Sequence, residues 1–126
     1  MKIALFESVK AWFPTNDSNS EHTYIDLDNF MVQRPHSTIF LKVNWDSMIQ
    51  EWIKDWDYVV VDKSLEIKEW NIVVALVDWE YALKYLELDA RNKFYLKSAN
   101  DDYPNIYPQD ELQIFWTVVG SFRKYI

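Results

Sequence analysis

Ser47 and Lys84 are the side chains on which chemistry could turn. Ser47 lies in Trp45-Asp46-Ser47-Met48, where strand-like sequence gives way to a predicted helical turn, Asp46-Ser47-Met48-Ile49-Gln50-Glu51. A serine at such a junction is presented at the surface, with backbone N–H groups nearby that are free to hold an oxyanion. The N–H groups of Ser47 and Asp46 are the expected donors. Lys84 lies in the strand-like Leu83-Lys84-Tyr85-Leu86. Pointed inward, it would lose water, its ammonium would be disfavoured, and its pKa would fall. A neutral amine can then take the serine proton. Taken singly, each residue also suits a plainer role. Ser47 would serve as a helix N-cap and Lys84 as a solvated lysine on an edge strand.

Other chemistries are thinly represented. The chain has no cysteine, which removes disulfides, thiolate nucleophiles and cysteine-based metal sites. His22 and His36 have no metal-ligand spacing and read as surface loop residues. No metal or cofactor is expected.

The elements that must position Ser47 and Lys84 are mostly strands. Six segments are rich in β-branched and aromatic residues: Ser37 to Val43, Asp57 to Asp62, Asn71 to Asp78, Tyr81 to Leu88, Lys93 to Lys97 and Leu112 to Arg123. Tyr24 to Val32 reads as an extended or partly helical lead-in. Before it, Pro14-Thr15-Asn16-Asp17-Ser18-Asn19-Ser20 has the chemistry of a loop or tether. The expected organisation is an N-terminal arm over residues 1–20 and a mostly β domain over residues 21–126.

The 126 residues suit one domain, and 49% are apolar, enough for a real core. No apolar run reaches the roughly 18 residues of a membrane span, and Glu7 interrupts the short apolar start. A cytoplasmic protein without a membrane association is expected. A net charge of −7 repels phosphate backbones, so direct nucleic-acid binding is not expected. The arm is also too short for a helix-turn-helix.

Together the motifs resemble the LexA/UmuD family of self-cleaving proteins. The family pattern runs G-D-S-M, D-G-D, G-D-I-V, D-G-E and V-K-x-L. Here those positions read Trp45-Asp46-Ser47-Met48, Asp55-Trp56-Asp57, Trp70-Asn71-Ile72-Val73, Asp78-Trp79-Glu80 and Leu83-Lys84-Tyr85-Leu86. The resemblance spans Ala11 to the C-terminus and is nearest to UmuD. It implies a mostly β, partly barrel-like fold with a short helical turn at the nucleophile and a flexible N-terminal arm. It implies a serine endopeptidase of the SOS response to DNA damage, with Ser47 as nucleophile and Lys84 as base. The bond cut would be Ala11–Trp12, followed by Phe13-Pro14 as in UmuD. It further implies a homodimer, activation by a RecA–single-stranded DNA filament, and a processed form serving a UmuC-like Y-family polymerase in translesion synthesis. The alternative is a non-cleaving dimerisation module that binds a partner protein, like a phage-repressor C-terminal domain.

One departure is systematic. Trp12, Trp45, Trp52, Trp56, Trp70, Trp79 and Trp116 all fall where UmuD-like proteins commonly have glycine. The chain holds seven tryptophans and one glycine, Gly120. Average usage predicts roughly nine glycines in this length. The pattern is that of a source reading UGA as glycine, with the sequence translated as though UGA meant tryptophan. A genuine tryptophan-rich partner surface is the alternative. Several of these positions are expected to be turns with positive φ, which glycine adopts without strain.

Overall fold

The computed structural model describes residues 1–5, 23–44, 53–77, 80–107 and 113–126. The predicted helical turn at Ser47, the Ala11–Trp12 bond and the expected boundary after Ser20 lie outside these residues. Contacts divide the chain into two compact units, Met1–Gln33 and Arg34–Ile126.

The first unit holds a two-stranded antiparallel sheet. Strand β1 (Lys2–Leu5) pairs with β2 (Thr23–Asp26), and the short helix α1 (Leu27–Met31) follows directly. The expected lead-in is therefore half strand and half helix. The pairing of Lys2–Leu5 was not expected, because four residues carry too little pattern to mark a strand.

The second unit is a six-stranded antiparallel sheet. Its strands are β3 (Thr38–Lys42), β4 (Tyr58–Asp62), β5 (Ile72–Val77), β6 (Glu80–Leu88), β7 (Phe94–Lys97) and β8 (Gln113–Phe122). Each lies within one of the six expected segments or one residue beyond it. They stand in the order β3-β4-β8-β5-β6-β7. The last strand in sequence thus inserts between β4 and β5. Register shifts at Val60/Val61 and at Val74/Ala75 interrupt the pairing of β8 with both neighbours. Such bulges bend and twist a strand, which curves the sheet without closing it.

Apolar residues fill both faces. Val59, Val61 and Val74 join Ile53 and Ala99 on one side, with Trp116 and Val118 packed against them. Val73, Ala75, Leu86 and Leu96 form a second cluster. Strands buried on both faces lose the polar alternation of a half-exposed sheet, which explains the unbroken Val59-Val60-Val61 run.

Carboxylates pin both ends of β4. Before it, Asp57 receives a two-pronged hydrogen bond from Arg123, at 2.5 Å from Nε and 2.7 Å from Nη2. That bond from Arg123 holds the Asp57 carboxyl below its usual range. At the other end Asp62 accepts from the Ser64 hydroxyl at 2.7 Å, the Ser64 N–H at 3.0 Å and the Ser37 hydroxyl at 2.8 Å. These bonds, those from Ser64 foremost, push its pKa well down. Each buried carboxylate is thereby partnered, which burial requires.

Two turns bear on the tryptophans. Lys54–Asp57 is closed by the Asp57 N–H donating to the Lys54 carbonyl at 3.1 Å, with Trp56 third at φ 72°. Lys68–Asn71 is closed the same way at 3.2 Å, with Trp70 third at φ 71°. A positive φ at that position is what glycine supplies in a type II turn. Both indoles are exposed, at 64% and 66%, but the Trp56 ring carries the Lys42 Nζ 4.3 Å from its centroid, a contact worth about 0.5–1 kcal/mol at an exposed site. Trp116 differs. It is half-buried in β8 against the core and has no positive φ. Trp12, Trp45, Trp52 and Trp79 lie outside the described residues.

A non-glycine residue in the left-handed region costs about 1–2 kcal/mol, against roughly 0.4–1 kcal/mol of extra unfolded-state entropy for glycine. Trp70→Gly is therefore expected to stabilise the fold by up to about 1 kcal/mol, and Trp56→Gly by less, because it also loses the Lys42 contact. Trp116→Gly is expected to destabilise it by roughly 2 kcal/mol, as a part-buried aromatic lost from a core. Urea denaturation of the three variants checks the contrast.

Candidate active site

Lys84 lies mid-strand in β6, which pairs with β5 on one side and β7 on the other. It is therefore not on a sheet edge, and its side chain is only 6% exposed. A transverse row explains why. Asp62 opposes Thr117, Thr117 opposes Val73, and Val73 opposes Lys84. Residues directly opposite in a sheet point to the same side. Lys84 thus shares a face with Val73, and with Leu86 two residues along its own strand.

The next residue in the row is Ser98. The register of β6 with β7 sets Tyr85 against Lys97. One step further brings Ser98, just past β7, opposite Lys84. The Lys84 Nζ donates to Ser98 Oγ at 2.5 Å, and Ser98 is 5% exposed. The chain then turns. Asn100 Oδ1 accepts from the Asp102 N–H at 3.0 Å, and the Asn100 carbonyl accepts from the Tyr103 N–H at 3.1 Å. This local capping is a common use of asparagine. It sets the Tyr103 ring beside Lys84, with Nζ 5.3 Å from the ring centroid. A pair of backbone bonds between Leu96 and Ile106, at 2.9 and 2.8 Å, ties the returning chain to β7.

Burial lowers the Lys84 pKa from the usual lysine value. Withdrawal from water penalises the charged amine more than the neutral one. Lys84 is therefore more readily neutral than a surface lysine, which is what a base must be. Lys84 thus satisfies the condition, inward burial, under which its amine could act as a base.

The other expected site residues, Ser47, Asp46, Ala11 and Trp12, lie outside the described residues. Ser98 and Tyr103 were not singled out from sequence. The signal for Ser98 was the Asp89–Lys93 turn, where the Asp89 N–H donates to the Lys93 carbonyl at 2.9 Å and Asn92 has φ 59°. Counting outward from that pair brings residue 84 opposite residue 98. Among the described residues, no group of three or more His, Cys, Asp or Glu could hold a metal ion.

Comparison with known proteins identifies the family. The profile of a peptidase family, described as Peptidase S24-like, matches residues 4–120. Protein SamA of Salmonella typhimurium is 34% identical over 118 residues, covering 94% of this chain and 82% of that protein. Protein MucA of Escherichia coli is 33% identical over 136 residues, covering 94% and 92%. A LexA repressor of Verrucomicrobium spinosum is 34% identical over 125 residues, covering 98% of this chain and 61% of the repressor. The chain belongs to the S24-like peptidase family, as a UmuD-like member of its self-cleaving LexA/UmuD group.

Lys84 carries a stability cost with a defined sign. Its folded pKa lies below its unfolded value of about 10.5. Between the two, the unfolded chain binds more protons, so stability rises with pH. Lys84→Met is expected to raise stability at neutral pH. The advantage should shrink as pH climbs through the depressed pKa. Urea denaturation of parent and variant, from pH 7 upward, measures it.

Proposed function

We propose that this chain is a self-cleaving serine endopeptidase with a Ser47–Lys84 dyad that cuts its own N-terminal arm, residues 1–20, between Ala11 and Trp12. The observation that carries the reading is the buried Lys84, with its depressed pKa and its Nζ held in the sheet. Neutral Lys84 takes the Ser47 hydroxyl proton as Oγ attacks the Ala11 carbonyl carbon. The resulting oxyanion is held by the backbone N–H groups of Ser47 and Asp46. Lys84 then gives its proton to the departing Trp12 nitrogen, leaving Ala11 esterified to Ser47. A water molecule, deprotonated by Lys84, attacks the ester, releases the Ala11 carboxylate and restores Ser47.

A bond tethered to its own catalyst has a high effective concentration, so a modest dyad suffices. Similarity to UmuD-like relatives supports the biological reading. In the cytoplasm, a RecA–single-stranded DNA filament would stimulate cleavage as part of the SOS response. The shortened homodimer would then serve a UmuC-like Y-family polymerase in translesion synthesis.

The test is mass spectrometry of the purified chain, as given and with glycine at the seven tryptophan positions, incubated at rising pH. Cleavage is expected to accelerate as Lys84 loses its proton, releasing a fragment that begins at residue 12. Ser47→Ala and Lys84→Ala should each slow it at least about 100-fold, the scale of a lost general base. Absence of the fragment at alkaline pH and with RecA filaments would favour a non-cleaving module that binds a partner protein. A bulky residue just after a cut bond hinders close approach of a nucleophile, so Trp12→Gly is expected to cut faster than its parent.

A further inference from the structure

We propose that Ser98 is a positioning residue for the self-cleavage reaction, its hydroxyl holding the Lys84 amine so that the remaining nitrogen lone pair is free for the nucleophile. This rests on the Ser47–Lys84 reading above and deepens it.

The problem that Ser98 solves is one of freedom. A lysine amine sits on four rotatable bonds, and its rotamer entropy approaches 2 kcal/mol. A base that wanders is a poor base, because misplacement by about 1 Å costs on the order of a hundredfold in rate. The apolar neighbours Val73 and Leu86 confine the stem of Lys84 but cannot aim its nitrogen. Ser98 Oγ, 2.5 Å from Nζ, can.

The bond from Nζ to Ser98 is compatible with every protonation state the base must pass through. A neutral amine has two N–H groups and one lone pair; the ammonium has three N–H groups. One N–H can donate to Ser98 in both states. The position that changes between lone pair and third proton is then the one left for Ser47 and the leaving nitrogen. A hydroxyl suits this role better than a carboxylate. A carboxylate at 2.5 Å would hold the lysine charged and abolish its basicity at neutral pH.

Ser98 is itself well anchored. It continues the β6–β7 register, and the neighbouring Leu96–Ile106 pairing secures the strand end. Around Lys84, β5 presents Val73, the end of β7 presents Ser98, and the following loop presents Tyr103. Among the described residues, Tyr103 is the titratable side chain beside Lys84. Asp62 lies in the same row three strands away and is occupied by Ser64, Ser37 and Arg34.

The sign of the effect is specific. Ser98 accepts a hydrogen bond that strengthens when the amine is charged. Its loss leaves burial unopposed, so Lys84 should become neutral at lower pH while losing its aim. The experiment measures the cleavage rate of the full chain against pH, in parent, Ser98→Ala, Ser98→Thr and Ser98→Val, with Ser47→Ala and Lys84→Ala as controls. Ser98→Ala is expected to lower the plateau rate at least tenfold and to move the rising limb toward acid. Ser98→Thr should retain most of the parental rate, and Ser98→Val, of equal shape, should not. Should Ser98→Ala misfold, the Thr and Val pair decides. Parental rate and profile in Ser98→Ala would overturn the proposal. So would a loss shared equally by Thr and Val with no shift of the limb, which would make Ser98 a packing residue. Cleavage that persists in Ser47→Ala or Lys84→Ala, or a parent that never cuts, would instead bring down the dyad reading and the role of Ser98 with it.

Discussion

Taking an ammonium group out of water costs several kcal/mol unless partners replace the solvent, and Lys84 pays that cost inside a sheet. Its chain crosses a face lined by Val73 and Leu86, and among the described residues its nitrogen meets the Ser98 hydroxyl and the Tyr103 ring. Neither partner is an anion. A buried carboxylate would instead have held the amine charged. The arrangement keeps the amine oriented yet poorly solvated, and the depressed pKa is the consequence. In the proposed role of Lys84, this loss of stability is the cost of a neutral amine, a trade-off seen at many catalytic sites.

The rest of the sheet makes that cost bearable. Asp57 and Asp62 are buried too, yet each is fully engaged, one by Arg123 and the other by Ser64, Ser37 and Arg34. They hold β4 at both ends, and β4 pairs with β8. Because β8 enters between β4 and β5, it links the two halves of the sheet. The row from Asp62 through Thr117 and Val73 to Lys84 is thus a line of fixed positions. On the opposite face of β6, Tyr95 donates to buried Glu87, which pushes the Tyr95 hydroxyl up to about 12. The Glu87 carboxylate on β6 is therefore committed to Tyr95.

Much of this was legible in the sequence. The six strands of the second unit follow from their β-branched and aromatic runs, and the motif order alone singles out Lys84. Ser98 was harder to see, because its role depends on a register that only the Asp89–Lys93 turn sets. A one-residue slip there would have turned Lys97 toward the lysine instead. Strand β1 was missed for a different reason: four residues gain their structure from the partner β2 and not from their own pattern. The tryptophans divide on physical grounds. Trp56 and Trp70 occupy turn positions whose backbone suits glycine, as a recoded UGA codon would have it. Trp116 sits in a strand, where the backbone gives no reason for glycine.

The claim on which everything rests is that Lys84 is an unusually easy lysine to deprotonate. Its ionisation can be read directly, by following the side-chain nitrogen and its adjoining carbon by NMR in isotopically labelled Ser47→Ala protein, with Lys84→Met to assign the signal. The account predicts a Lys84 resonance that titrates clearly below the usual lysine value of about 10.4 and apart from the surface lysines. A Lys84 that titrates with the surface lysines, or above them, would contradict it.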